Sequence, residues 1–181
     1  GNDVDFRIEG DGNANLFYLD AGNDNIGIGT ATTTGYSGQT NLFLGGTGNL
    51  MAETTAGSGD SLNISQNAFI DSDGSWEHIV TDESTNLYMN AGDLGVRTTA
   101  SGSAGADITW KTPFIIKNDG KVGIQTVTGT NSPSYPLSVK HSDVGLVRFE
   151  STKATDEGVE VSLYKNSASP AVDDQLGYIQ F

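Results

Sequence analysis

"NDNIGIGTATTTG", Asn23 to Gly35, alternates two isoleucines with two glycines directly after an Asn/Asp cluster. One reading is a phosphate cradle, the other a turn that launches a β-strand. A dinucleotide fingerprint needs G-x-G-x-x-G opening a helix. Gly27 and Gly29 are present, but Thr32 stands at the third position. The residues that follow, Thr33 to Gly38 (TTGYSG), cannot nucleate a helix.

The same pattern recurs along the chain. "NLFYLDAGNDNIGIGT" (Asn15–Thr30) aligns with "NLYMNAGDLGVRT" (Asn86–Thr98) once three turn residues are removed. It aligns with "PFIIKNDGKVGIQT" (Pro113–Thr126), and more weakly with "NLFLGGTGNLMAET" (Asn41–Thr54). Each copy has an apolar strand, a Gly-containing turn, a second strand with apolar residues two apart, then Thr. A phosphate loop occurs once and opens a helix, whereas this element recurs and opens strands. Periods of roughly 20–30 residues indicate arrays of hairpins. Ile26 and Ile28 then share one face, and Gly27 and Gly29 the other, where a backbone can approach closely.

The rest of the chain agrees. Alternation of period two marks Phe6–Ile8, Phe17–Leu19 and Val159–Leu163, and no segment keeps helical spacing over three turns. Turn clusters such as "GDGNAN", "DSDG" and "KNDG" separate the runs. The expected fold is all-β, with repeated β-hairpin modules and small β-sandwich-like units, elongated, and assembled as a parallel homotrimer. Three regions are expected: an acidic β-repeat shaft region at 1–62, a small β-sandwich-like module at 63–117, and a C-terminal hairpin-repeat module at 118–181.

Composition points to association. The 181 residues are 35% hydrophobic and include 24 glycines. A lone globule of this make-up would struggle to offset its ordering entropy, and burying strands against other copies solves that. Cysteine is absent, so neither disulfides nor a Cys-based zinc site is available. No apolar run reaches the length of a membrane span, so membrane insertion is not expected. Both ends read as cuts through a longer polypeptide.

The net charge of −14 is uneven. Residues 1–96 carry 14 acidic groups and one basic group, Arg7; residues 97–181 carry nine acidic and eight basic groups. Such a surface repels nucleic-acid backbones, so no nucleic-acid partner is expected.

"DGKVGIQTVTGTNSPSYPLSVKHSDVGLVRFEST" (Asp119–Thr152) resembles the recurring module of long phage tail fibres and related virion appendages. In that group a turn, a V-G-I-G-T element, a Ser/Pro-rich link and a "PL-x-V" strand lead into an "RFEST"-like strand. The upstream order of a D-G-S-W turn, a G-S-A-G-A segment, an I-T-W strand and an N-D-G turn resembles the same group. Gln125 and Arg97 stand where the module usually has glycine. The resemblance implies a structural segment of a virion-attached fibre, on the virion surface, that projects a host receptor-binding tip. Its implied partners are other virion structural proteins and a host cell-surface glycan or protein receptor. A bacterial surface adhesin module and a glycan-depolymerising tailspike are the alternatives.

The trimer-core candidates are Ile26, Ile28, Val122 and Ile124. Trp76, Tyr88, Trp110 and Tyr164 offer a sugar-binding face, with Trp76 and Tyr88 as the glycan-contact candidates, although large aromatics in thin β-modules more often serve core and interchain packing. The carboxylates Asp71, Asp73, Glu77, Asp82 and Glu83 lie in polar turns, where Asp serves the local backbone. No catalytic residue, cofactor-binding residue or resident metal is assigned, and the segment is read as no enzyme. A low-affinity structural calcium at "DSDG" or "GNDVD" would relieve repulsion between acidic copies, although the full calcium-loop pattern is not met. His78 and His141 have no metal-ligand spacing, and Asn63 heads an N-x-S glycan-acceptor pattern.

Overall fold

The structure, a computed structural model, describes residues 4–57, 61–124 and 137–139. All belong to one unit, Gly1–Val144. The expected "RFEST" strand, His141, Tyr164 and most of the 118–181 module lie outside the described residues.

The described chain is all-β, with no helix among the described residues. Eleven strands form one mixed sheet. They are β1 (Phe6–Ile8), β2 (Phe17–Asp20), β3 (Asn25–Ile28), β4 (Gln39–Leu44), β5 (Gly48–Glu53), β6 (Leu62–Gln66), β9 (Asp82–Asn90), β10 (Asp93–Gly102), β11 (Lys111–Ile116), β12 (Val122–Ile124) and β13 (Leu137–Val139). The sheet follows sequence order, except that β7 (Ala68–Ile70) and β8 (Trp76–His78) leave it to pair with each other. The ladder passes without a break through residues 62 and 63, inside β6, and from β11 to β12.

All four aligned stretches form antiparallel hairpins: β2–β3, β4–β5, β9–β10 and β11–β12. Local chemistry sets each turn. At the β2–β3 turn the Asp20 carboxylate accepts from the Gly22 and Asn23 amides at 3.1 and 3.0 Å, and Asp24 takes a left-handed conformation. The β9–β10 turn has two residues, Ala91 and Gly92, both at positive φ, which matches the twist of the flanking strands.

Strand β3 pairs parallel with β4, and β12 with β13. The chain between β3 and β4 folds back over one face of the sheet. A Cβ on Gly27 would collide with the carbonyl oxygen of Thr30. The backbone that this glycine admits is therefore the chain's own. Gly29 leaves the strand at φ 76° and serves as a turn residue.

That face, the amide face, is also covered by the β7–β8 hairpin. Its apolar core is small: Phe43, Met51, Ala68, Phe69 and Tyr88, with the two Phe rings edge to face at 6.1 Å. Around them lie buried asparagines. Asn41 donates from both its amides to Asn25 Oδ1, and Asn49 Nδ2 donates to Asn41 Oδ1 at 3.0 Å. Asn86 Nδ2 reaches Asn63 Oδ1 at 3.2 Å and Ser65 Oγ at 3.0 Å. Mutual hydrogen bonding is what makes a polar interior tolerable, since an unpaired buried amide costs about 1–3 kcal/mol.

Asn67 clamps the hairpin to the sheet. Its side chain donates to the carbonyls of Val80 and Glu83 at 3.0 and 2.9 Å and accepts from the Val80 amide at 2.7 Å. Its backbone amide donates to the Thr47 carbonyl, and its own carbonyl accepts from Ser84 Oγ at 2.6 Å.

Candidate interaction surface

The opposite face of the sheet is apolar and open. Residues in register across all eleven strands form one row: Phe6, Leu19, Ile26, Leu42, Leu50, Ile64, Leu87, Val96, Phe114, Ile124 and Val139. Every member is apolar. None of the row is fully buried, and Phe6, Ile64 and Ile124 remain 56%, 49% and 39% exposed.

Two shorter rows flank it. On the β1–β4 side the flank is Ile8, Phe17, Ile28 and Leu44, and it turns polar at Gln66, Thr85 and Thr98. The other flank runs from Thr40 and Ala52 through Leu62, Met89, Leu94, Ile116 and Val122 to Leu137. The apolar band therefore runs diagonally over the sheet. No charged residue stands in these rows up to the β10 bulge, beyond which Lys111 pairs with Thr98.

The pattern is inverted relative to an isolated soluble sheet, which hides apolar side chains and shows polar ones. Here asparagines fill the covered face while leucines and isoleucines face outward. Open apolar patches of this extent are uncommon on monomeric proteins.

The four trimer-core candidates all fall on this face. Ile26 and Ile124 belong to the central row, Ile28 to one flank and Val122 to the other. Sequence reading missed the members between them, although a signal was present. An Asn followed by Leu or Ile occurs six times among the described residues. At Asn25, Asn41, Asn49, Asn63 and Asn86 the Asn is buried while its neighbour joins the central row, whereas Asn15–Leu16 lies before β2 and does neither.

The aromatic candidates separate. Trp76 is half-buried and meets Trp110 edge to face at 5.4 Å, away from the apolar face. Tyr88 is buried on the amide face, with the Arg97 guanidinium 3.8 Å from its ring centroid. Asn63, the glycan-acceptor candidate, is buried and hydrogen-bonded to Asn86.

The carboxylates act locally. Asp71 Oδ1 accepts from the amides of Asp73 and Ser75, and Asp73 Oδ1 also accepts from Ser75, which shapes the "DSDG" turn. Glu77 pairs with Phe69 in the small hairpin and bridges to Asp107. Burial, then the charges of Asp71, Asp107 and Asp73, push the Glu77 carboxyl above its ordinary value. Asp82 Oδ1 accepts from the Glu83 amide. Among the described residues no three His, Asp or Glu side chains come together as a metal site. His78 is buried against Ser84, 2.8 Å from Nδ1 to Oγ. Because the Ser84 hydroxyl already donates to Asn67, His78 Nδ1–H is the donor in that bond. At the sheet edge, Asp5 accepts from the Tyr18 hydroxyl at 2.6 Å and pushes that phenol up to about 12.

No protein-family model matches the chain, and no curated protein matches it.

Proposed function

We propose that this chain is a structural segment of a virion-attached fibre, assembled as a parallel homotrimer through the apolar face. The observation that carries the reading is the eleven-residue apolar row, open to solvent on a protein of net charge −14. The occupant is further copies of the chain. An apolar band whose rows carry no charge up to the β10 bulge is complementary to itself, and joining copies there leaves most acidic groups outside.

The size fits. Eleven strands at about 4.8 Å spacing make a band about 50 Å long, and three rows about 7 Å apart give it roughly 800 Å². A stable interface buries about 800 Å² per partner. The repeated hairpins supply length by adding strands to one ladder. The resemblance to tail-fibre modules supplies the setting: other virion proteins at one end and a host cell-surface glycan or protein at the other. The segment's task is mechanical, holding a binding tip away from the particle.

Sedimentation velocity and native mass analysis test this. The wild-type chain is expected to run as three copies, and Ile28→Asp and Ile124→Asp as single chains with unchanged β-type circular dichroism. A variant that stays trimeric, or a wild type that is monomeric under all conditions, overturns the reading.

A further inference from the structure

Charge is graded along the ladder. From Val4 to Val96 the described residues carry twelve acidic groups and one basic group; from Arg97 to Ile124 they carry two acidic and four basic groups. Because the sheet follows sequence order, the gradient in sequence is also one in space, acidic from β1 to β9 and slightly basic from β10 to β12.

The gradient and the diagonal apolar band favour different arrangements of two copies. Opposed copies would lay an acidic end over a basic end, which is attractive. They would also lay the Ile28 and Leu44 flank of one copy over Thr85 and Thr98 of another. Copies running the same way keep the apolar band equally broad at every level, but they bring acidic end to acidic end. Burial of apolar area supplies most of the driving force for association, whereas charges that stay in solvent interact weakly and are screened.

We propose that copies meet in parallel register through the apolar face and that charge holds this assembly back, so that salt promotes it. This rests on the fibre reading above and adds its regulation. Apart from Glu83, which shares the open face with Thr85 in β9 beyond the flank row, the carboxylates lie on the amide face and in turns, so their repulsion acts over a distance larger than a contact. The Debye length is about 30 Å at 0.01 M salt and about 3 Å at 1 M, so the repulsion is present at the first and gone at the second. Divalent cations act in the same way through ionic strength, with no preference for calcium over magnesium.

The test is sedimentation velocity of the whole chain over a concentration series, in NaCl from about 0.01 M to about 1 M. Parallel arms use MgCl2 and CaCl2 at matched ionic strength. Self-association is expected to tighten by at least about tenfold across the NaCl series, with the two divalent salts equal. The variant Asp11→Asn, Asp24→Asn, two exposed acids of the acidic end, should associate at low salt more tightly than wild type. Association that weakens with salt overturns the proposal in favour of opposed copies, and the fibre reading's use of the apolar face survives. Salt-independent association also overturns it, as does assembly with calcium alone. Absence of association at every ionic strength overturns both the proposal and the fibre reading.

Discussion

Tyr88 and Gly95 stand opposite each other across β9 and β10, and a Cβ on Gly95 would collide with the edge of the Tyr88 ring at Cε1 and Cζ. The aromatic ring covers the glycine, and the Arg97 guanidinium lies 3.8 Å from the ring centroid. Gly95→Ala is therefore expected to destabilise the chain by about 1–3 kcal/mol, as overpacking does. Thermal unfolding checks it. Combined with Tyr88→Ala, the same methyl should cost much less, because the ring it strikes has gone.

Asn67 combines three side-chain hydrogen bonds with a left-handed backbone at φ 57°. Asn67→Gly keeps the backbone easy and loses the bonds; Asn67→Ala loses both advantages. We expect both to destabilise, with Ala worse than Gly by about 1 kcal/mol. Chemical denaturation separates the two. Equal losses would mean that backbone strain contributes nothing there.

Asn63 and Ile64 are neighbours in β6 that face opposite ways, one buried and one 49% exposed. In the single chain Asn63→Ala should cost about 1–3 kcal/mol, since Asn86 then loses an acceptor. Ile64→Ser should change single-chain stability by no more than about 0.5 kcal/mol while weakening association. Denaturation at low concentration reads the first effect, and sedimentation the second.

Two carboxylates give opposite pH signatures. Burial raises the Asp20 carboxyl, but hydrogen bonds from Thr32, Asn23 and Gly22 outweigh it and hold the group below its ordinary 3.8. Its stabilisation is present above pH 3.8 and is lost as pH falls through the folded value. Asp20→Asn should be less stable than wild type at neutral pH, and the gap should close in acid. Glu77 is raised above its ordinary 4.5, so folding is favoured while it is protonated and penalised as pH rises through the folded value. Glu77→Gln should be more stable than wild type at neutral pH, and that gain should vanish below pH 4.5. Thermal melts across the pH range check both signs.

Much of the local structure was legible because its causes are local. Period-two alternation marked β1 and β2, and the aligned stretches marked four hairpins, since turn residues and strand pattern lie within a few positions of each other. Tyr88 was harder to place. Its burial depends on Gly95 and Arg97, which come opposite it only when β10 pairs back on β9.

Period-two alternation is enough to make the chain all-β and to put Ile26 and Ile28 on a shared face, because strand geometry alternates side chains whatever the partner. It could not say which face would be covered. Hydropathy alone would send Ile26 inward and Asn25 outward, and the described chain does the reverse. That choice comes from the β3–β4 crossover and the β7–β8 hairpin folding over the asparagines, where Asn41, Asn49 and Asn86 find partners on adjacent strands. Such partners are separated in sequence and are brought together by register. The same register gathered eleven apolar side chains, one from each strand, into a single open row.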